Sequence, residues 1–207
     1  MKLYTPKHEV LIIDDGSIDG SFELLSNCPF IKLERIKQNC GKGTAIQMGL
    51  ENAAFDKVII FDGDMELDPA EISKLMILDN NSGLVCVFGS RYENIKPFAS
   101  LWGFGNFFFT GLFNMVYGSD HSDALCCAKA FFKGDLNLKN ISAVGFDIDV
   151  ELAANLTKNS FEIHFPIAFT MIMKLLKIMP NWLYFLLIKK GMKTCLLYTS
   201  PSPRDRG

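Results

Sequence analysis

Asp62-Gly63-Asp64, with Glu66 two positions further on, is the strongest chemical pattern in this chain of 207 residues. Carboxylates spaced by one residue just past an apolar run converge on one hard cation. A divalent ion held by one or two carboxylates plus substrate phosphates is the usual arrangement for Mg2+ or Mn2+. A solvated acidic turn is the plainer alternative. A second acidic pair, Asp14-Asp15, follows Val10-Leu11-Ile12-Ile13 and leads into Gly16-Ser17. These two carboxylates suit hydrogen bonds from a base or ribose, or else from the backbone of their own turn. Asp19 fits the turn role better, because Asp19-Gly20-Ser21 leads into a helix start.

Gly41-Lys42-Gly43 brings backbone and an ammonium within reach of a phosphate. It is not a P-loop: position 36 is Ile, and no Ser or Thr directly follows Lys42. Arg91 is the stronger phosphate candidate, since a guanidinium fork matches phosphate oxygens; its alternative is a surface arginine. Asp123, followed by Lys129, comes after a long aromatic segment. Residues 145–152 then open a helix in which Asp147 and Glu151 lie one turn apart and Asp149 points elsewhere. Acids at a helix start also suit its dipole without further purpose.

The elements that must position these groups alternate. Apolar runs at 10–13, 58–61 and 84–88 predict buried strands, and residues 31–36 alternate as a half-buried one. Helices are expected from about Ser21, over 44–54, and from Asp68, where Asp68 caps, Pro69 suits the first helical position and Glu71 completes a capping box. Strands separated by helices imply an α/β fold with an open, mostly parallel sheet flanked by helices. The polar clusters at 14–17, 62–64 and 89–91 each end a strand. In such sheets the ligand lies outside the carboxyl ends of the strands, so the three clusters should share one crevice.

Composition narrows the function classes. Hydrophobic residues make up 49% and charged residues 21%, so disorder is not the main state. A net charge of −2 argues against nucleic acid as a partner bound by bulk electrostatics. The six cysteines form no Cys-x-x-Cys pair and read as reduced, mostly buried thiols. Charge is uneven: residues 1–170 carry 14 Lys/Arg against 22 acids, and residues 171–207 carry seven against one. No run reaches the ~18 apolar residues of a membrane span, and the first ten residues lack the apolar core of a signal peptide.

Residues 98–117 hold eight of the chain's aromatics at helical spacing, with Asn106, Thr110 and Asn114 forming one polar stripe. Such a helix is either deeply buried or in contact with lipid. Together with the apolar, lysine-bearing stretch 171–193, it predicts peripheral binding at a membrane surface. Pro180-Asn181 interrupts that stretch, so spanning is not expected.

In order, the Asp-Asp-Gly-Ser-x-Asp-Gly run at 14–20, Asn39 to Gly43, Gly49-Leu50, Asp62 to Pro69, Gly89 to Arg91, Gly105-Asn106, Asp123 to Phe131 and Phe146 to Leu152 resemble the inverting family 2 glycosyltransferases. The resemblance is nearest to enzymes that charge a polyprenyl (dolichyl) phosphate with a sugar. It implies a GT-A fold, a nucleotide-diphospho-sugar donor (UDP- or GDP-sugar), a polyprenyl-phosphate acceptor, Mg2+ or Mn2+, and work at the cytoplasmic face of the membrane. By the same resemblance Asp14, Asp15 and Gly16 would lie at the nucleotide, and Asp62 at ribose and metal. Asp64 would ligate the metal, Glu66 lies where some relatives supply another ligand, and Arg91 and Lys129 would help hold phosphates; Lys42 stays a phosphate candidate on its glycine loop alone. Asp123 would line the reaction centre, with Asp149 and Glu151 on the acceptor side.

The family normally opens with an earlier strand bearing a Pro-x-x-Asn-Glu-like turn, and only nine residues precede Val10 here. It also carries an Arg/Lys loop after the strand at 161–166, which this chain does not show. The expectation is a chain truncated at both ends. Residues 1–170 would form the transferase domain without its usual first strand, 171–198 an interfacial apolar and basic segment, and 199–207 a disordered, non-native tail. The rivals are a receiver-type signalling domain phosphorylated at Asp62, a haloacid-dehalogenase-like phosphatase built on Asp62-x-Asp64, and an inactive fragment of the transferase.

Overall fold

The computed structural model describes residues 8–63, 67–91, 101–160 and 194–200; for 101–102, 159–160 and 194–200 it describes the backbone. Six strands form one sheet: β1 (Glu9–Asp15), β2 (Lys32–Ile36), β3 (Lys57–Asp62), β4 (Cys86–Phe88), β5 (Lys129–Phe132) and β6 (Thr194–Ser200). The helices are α1 (Ser21–Ser26), α2 (Lys42–Asn52), α3 (Ile72–Leu75), α4 (Leu101–Tyr117) and α5 (Ile148–Ser160). Strand order across the sheet is β2-β1-β6-β3-β5-β4.

β1 pairs in parallel with β2, while β6 runs antiparallel to both β1 and β3. β5 runs antiparallel to β3 and β4. The strands β1, β2, β3 and β4 therefore point one way, and the carboxyl ends of β1, β3 and β4 fall on one edge. This is an α/β, GT-A-like arrangement: four strands share one direction, as a mostly parallel sheet predicts, but only β1 and β2 are parallel neighbours, because β6 and β5 enter antiparallel between the others.

The apolar runs form strands because both of their faces are covered. Leu11, Ile13, Val58, Ile60 and Phe131 pack with Ala45, Ile46 and Leu50 of α2 and Ile148 and Leu152 of α5. Val10, Ile12, Ile59, Phe61, Ala130 and Phe132 face the other way, against Ile72, Leu75 and Leu78. Successive side chains of one strand thus feed two separate cores, the period-2 consequence of the pleat.

Asp68 caps as expected, accepting the Ala70 N–H at 2.9 Å, but the element it opens is a 3₁₀ turn followed by only the four residues of α3. α1 is a single short helix with no buried residue. The strand expected at 84–88 is limited to 86–88.

The expected boundary at 198/199 does not hold. Thr194–Ser200 forms a strand pairing with β1 and β3 on either side, so residues 199 and 200 belong to the sheet. Tyr and Thr favour an extended, flanked backbone, and the strand satisfies the facing ladders of both neighbours. The strand expected at 161–166, the apolar and basic stretch 171–193 and the tail 201–207 lie outside the described residues.

One loop contact sets the crevice. The Gly43 N–H donates to Val144 O at 2.8 Å, and Gln47 Nε2 donates to Ala143 O at 2.9 Å. A methyl on Gly43 would collide with the Ala143 carbonyl, and one on Gly41 (φ +95°) with that of Val144. The glycines let α2 start directly against segment 143–145. Gly43→Ala should therefore cost about 2 kcal/mol in urea unfolding, the size of a forced overpacking. Gly63→Ala, where an added methyl meets nothing within 4 Å, should stay within ~0.5 kcal/mol.

Candidate functional site

The carboxyl edge of the sheet gathers charged side chains from five elements. Asp62 ends β3, Lys42 begins α2, Asp149 lies in the first turn of α5, Lys129 begins β5, and Arg91 follows β4. Lys42 Nζ donates to Asp62 Oδ2 at 2.8 Å and to Asp149 Oδ2 at 2.7 Å. Lys129 Nζ lies 3.7 Å from Asp149 Oδ1 and donates to the Cys126 carbonyl. Arg91 grips Asp123 as a fork, with Nε at 2.7 Å from Oδ2 and Nη2 at 2.8 Å from Oδ1. Lys42, Lys129, Asp62, Asp123 and Asp149 are all buried.

Burial works to lower the Lys42 pKa, but Asp149 and Asp62 outweigh it and hold the ammonium well above its ordinary value. Burial likewise pushes the Asp149 carboxyl up, and Lys42 and Lys129 more than reverse this. The pair is charged because each partner supplies what water would have supplied. Within this group of six, three cationic and three anionic side chains balance.

The remaining sequence-derived candidates hold loops. Asp15 accepts the Cys40 and Gly41 N–H groups, both at 2.8 Å. Asp14 accepts the Ser17 N–H at 3.2 Å and pairs with Arg35 Nε at 3.2 Å. Gly16 sits at φ +72°, where a side chain would press on the Asn39 backbone. Asp19 caps its own turn through Ser21, as expected. Glu151 accepts the Ser142 N–H at 3.0 Å, the Ala143 N–H at 2.7 Å and the Ser142 hydroxyl at 3.2 Å. It fixes the segment on which Gly41 and Gly43 pack.

The structure brings Asp62, Lys42, Asp149, Lys129, Arg91 and Asp123 together. It sets Asp14, Asp15 and Gly16 beside them, at the end of β1. Asp64 and Glu66 lie outside the described residues. Among the described residues no group of three His, Cys, Asp or Glu side chains is placed to hold a metal. The hard carboxylate donors expected at 62, 64 and 66 fit Mg2+ or Mn2+ by chemistry.

Gly41-Lys42-Gly43 differs from its expected use. The backbone approach that its glycines permit is made by segment 143–145, and the Lys42 ammonium is taken up by two carboxylates. The thiols also differ: Cys126 and Cys127 are buried, while Cys28 and Cys40 are exposed.

Sequence reasoning missed Arg35, which pairs with Asp14, donates from Nη2 to Ser17 O at 2.8 Å, and lies 4.4 Å from the Phe22 ring centroid. Its signal was faint, because it is one of three charged residues in the strand 32–36. It also missed His121, whose ring lies 4.3 Å from that of Phe88, with Nε2 2.8 Å from Thr157 Oγ1.

With this geometry in place, the comparison with known proteins is decisive. Residues 2–137 match glycosyl transferase family 2. The chain belongs to that family. The match spans every element from β1 to β5 and supersedes the receiver and phosphatase alternatives. Among its relatives, the glycosyltransferase AglJ of Haloferax volcanii is 28% identical over 156 residues, covering 74% of this chain and 50% of that protein. A protein named among putative glycosyltransferases of Mycobacterium tuberculosis is 33% identical over 105 residues, 49% of this chain and 30% of that protein. An undecaprenyl-phosphate 4-deoxy-4-formamido-L-arabinose transferase of Aeromonas hydrophila is 38% identical over 74 residues, 33% of this chain and 23% of that protein. The chain spans half or less of the length of these curated relatives.

His121 sits two residues before Asp123 and gives this family 2 chain a pH signature. Burial lowers its pKa, nearby Lys129 adds to the effect, and Asp120 opposes it. A depressed histidine favours the fold above its unfolded pKa of about 6.5, and that contribution is lost as pH falls through this value toward the folded one. The melting temperature should drop between pH 7 and 5.5, and His121→Gln should flatten that drop.

Proposed function

We propose that this chain carries the catalytic core of a transferase moving a sugar, with inversion, from a UDP- or GDP-sugar to a polyprenyl phosphate. The observation that carries this reading is the balanced charge group at the carboxyl edge of the sheet. Three cationic and three carboxylate side chains already neutralise one another there, while transfer leaves a nucleoside diphosphate that gains negative charge.

That added charge calls for a further cation, and Asp62 with Asp64 and Glu66 would hold a Mg2+ or Mn2+ ion. When bound, the ion stabilises the departing diphosphate. Arg91 stands in the same group, and a guanidinium fork matches the geometry of phosphate oxygens. Asp14, Asp15 and Gly16 shape the nucleotide end by fixing the loops at 16–17 and 39–41.

The acceptor class follows from proton bookkeeping. A sugar hydroxyl needs a base, whereas a phosphate is ionised near pH 7 and attacks unaided. The reaction-centre and acceptor-side acids are committed: Asp123 to Arg91, Asp149 to Lys42 and Lys129, and Glu151 to the 142–143 backbone. This supports an anionic acceptor. The relative from A. hydrophila is named for transfer involving undecaprenyl phosphate, which agrees with that class.

A lipid acceptor places the enzyme at a membrane. No helix among the described residues is long and apolar enough to cross one. α4 carries no charged residue and exposes Phe104, Phe107, Phe108 and Met115 on one face, so peripheral attachment at the inner face fits.

Two outcomes are expected. UDP- or GDP-sugar with Mn2+ should raise the melting temperature of the wild-type chain, and the metal-dependent part should vanish in Asp64→Ala. Ligand at 100 times its dissociation constant stabilises by about 2.7 kcal/mol; a folded protein that shows no shift with either nucleotide sugar refutes a working donor site. Separately, the chain should float with phosphatidylglycerol vesicles, and Phe104→Ser/Phe107→Ser/Phe108→Ser should remain mostly in the bottom fraction. Equal flotation of both proteins would remove α4 from the membrane contact.

A further inference from the structure

The geometry points to Lys42 as a positioning residue that locks the donor-side carboxylate to the acceptor-side one, not as a phosphate ligand. Its ammonium lies between Asp62 Oδ2 at 2.8 Å and Asp149 Oδ2 at 2.7 Å. Its side chain is only 4% exposed. The two carboxylates come from different elements, the end of β3 and the first turn of α5, separated by 87 positions in sequence. β3 and α5 share a core through Val58, Ile60, Ile148 and Leu152, and the shared ammonium adds a direct charged link between their two carboxylates.

Lys42 is itself aimed by constraints on both sides. Asp15 holds the Cys40 and Gly41 N–H groups just before it. The Gly43 N–H just after it is held by Val144 O, in a segment that Glu151 fixes. The Phe146 ring centroid lies 5.9 Å from Nζ, closing a further side with an aromatic face. A lysine meant for a phosphate would end in the open crevice; this one ends in a pocket made by its own chain. Lys42 thus acts as a resident cation, one fixed charge that lets two acids stand close together before any substrate arrives. Its role rests on the reading of Asp62 as donor-side, given above.

Two roles for Lys42 predict different responses to metal. If it is a resident cation, removing it leaves two facing carboxylates without their shared counter-charge, and they collect a divalent ion from solution. If it is a phosphate ligand, removing it weakens phosphate binding and leaves the affinity for metal alone unchanged.

The experiment titrates the full chain with MnCl2 alone, with no nucleotide, and reads free Mn2+ by electron paramagnetic resonance. Lys42→Ala is expected to bind Mn2+ at least tenfold more tightly than wild type, and Lys42→Ala/Asp149→Ala to lose that gain. Unchanged or weaker Mn2+ binding by a folded Lys42→Ala overturns the assignment. Should Lys42→Ala not fold, reductive methylation of the wild-type chain decides. Lys42 is expected to stay unmodified with and without UDP plus Mn2+. Modification without ligand, and protection by UDP plus Mn2+, overturns the assignment. Failure of the transferase reading is a separate event, seen as absent UDP- and GDP-sugar binding by the wild-type chain whatever Mn2+ alone does.

Discussion

A buried ammonium is stable only where acids surround it, and acids buried together are stable only where a cation divides them. Lys42, Asp62 and Asp149 meet both conditions at once. Taking away one member of such a group costs about 3–5 kcal/mol, because the others are left charged and dry. The three residues therefore constrain one another, and through them three elements do: the start of α2, the end of β3 and the start of α5. Lys129, at the start of β5, extends the same constraint by its approach to Asp149. The Arg91–Asp123 fork is the neighbouring ion pair.

Two acids beside this group, Asp15 and Glu151, fix loops. Asp15 and Glu151 are both acids that spend their oxygens on backbone N–H groups, one on each side of the Gly41-Lys42-Gly43 turn. A carboxylate that accepts two or more backbone donors makes charge-assisted bonds about twice as strong as neutral ones. The turn is thereby gripped from β1 and from the segment before α5. Under the proposed function, donor binding would need little reordering of the protein, as a preorganised electrostatic site requires.

The fold was legible where the sequence repeats a physical pattern. Val10 to Ile13 and Val58 to Phe61 alternate between two cores, and their runs end at the acids that belong to the crevice. The Asp68 cap was legible because capping is local. What was not legible depended on distant partners. Nothing near Lys42 in sequence indicates that Asp149 will stand beside it, so a lysine between glycines reads as a phosphate loop. Nothing near Glu151 reveals that its oxygens will meet residues 142 and 143. The pairing of Thr194–Ser200 between β1 and β3 was hidden for the same reason: a strand in the middle of a sheet is defined by its neighbours, and both are more than 130 residues away.

α4 shows how one constraint decides another. Its polar stripe was expected to mark either a core helix or a lipid-facing one, and the stripe turns inward. Thr110 Oγ1 accepts the Ala124 N–H at 3.3 Å, and Asn114 holds both the N–H and the carbonyl of His121, at 3.0 and 2.8 Å. These bonds fix the loop that carries Asp123. Leaving such backbone groups buried and unmet costs about 1–3 kcal/mol each, comparable to the ~1.5–3 kcal/mol forgone for each large apolar side chain left in water. A helix has only one inward face, so satisfying the Asp123 loop commits Phe104, Phe107 and Phe108 to the outside. The helix that fixes the Asp123 loop is therefore the one that presents an aromatic surface, and under the proposed lipid acceptor the two demands become one.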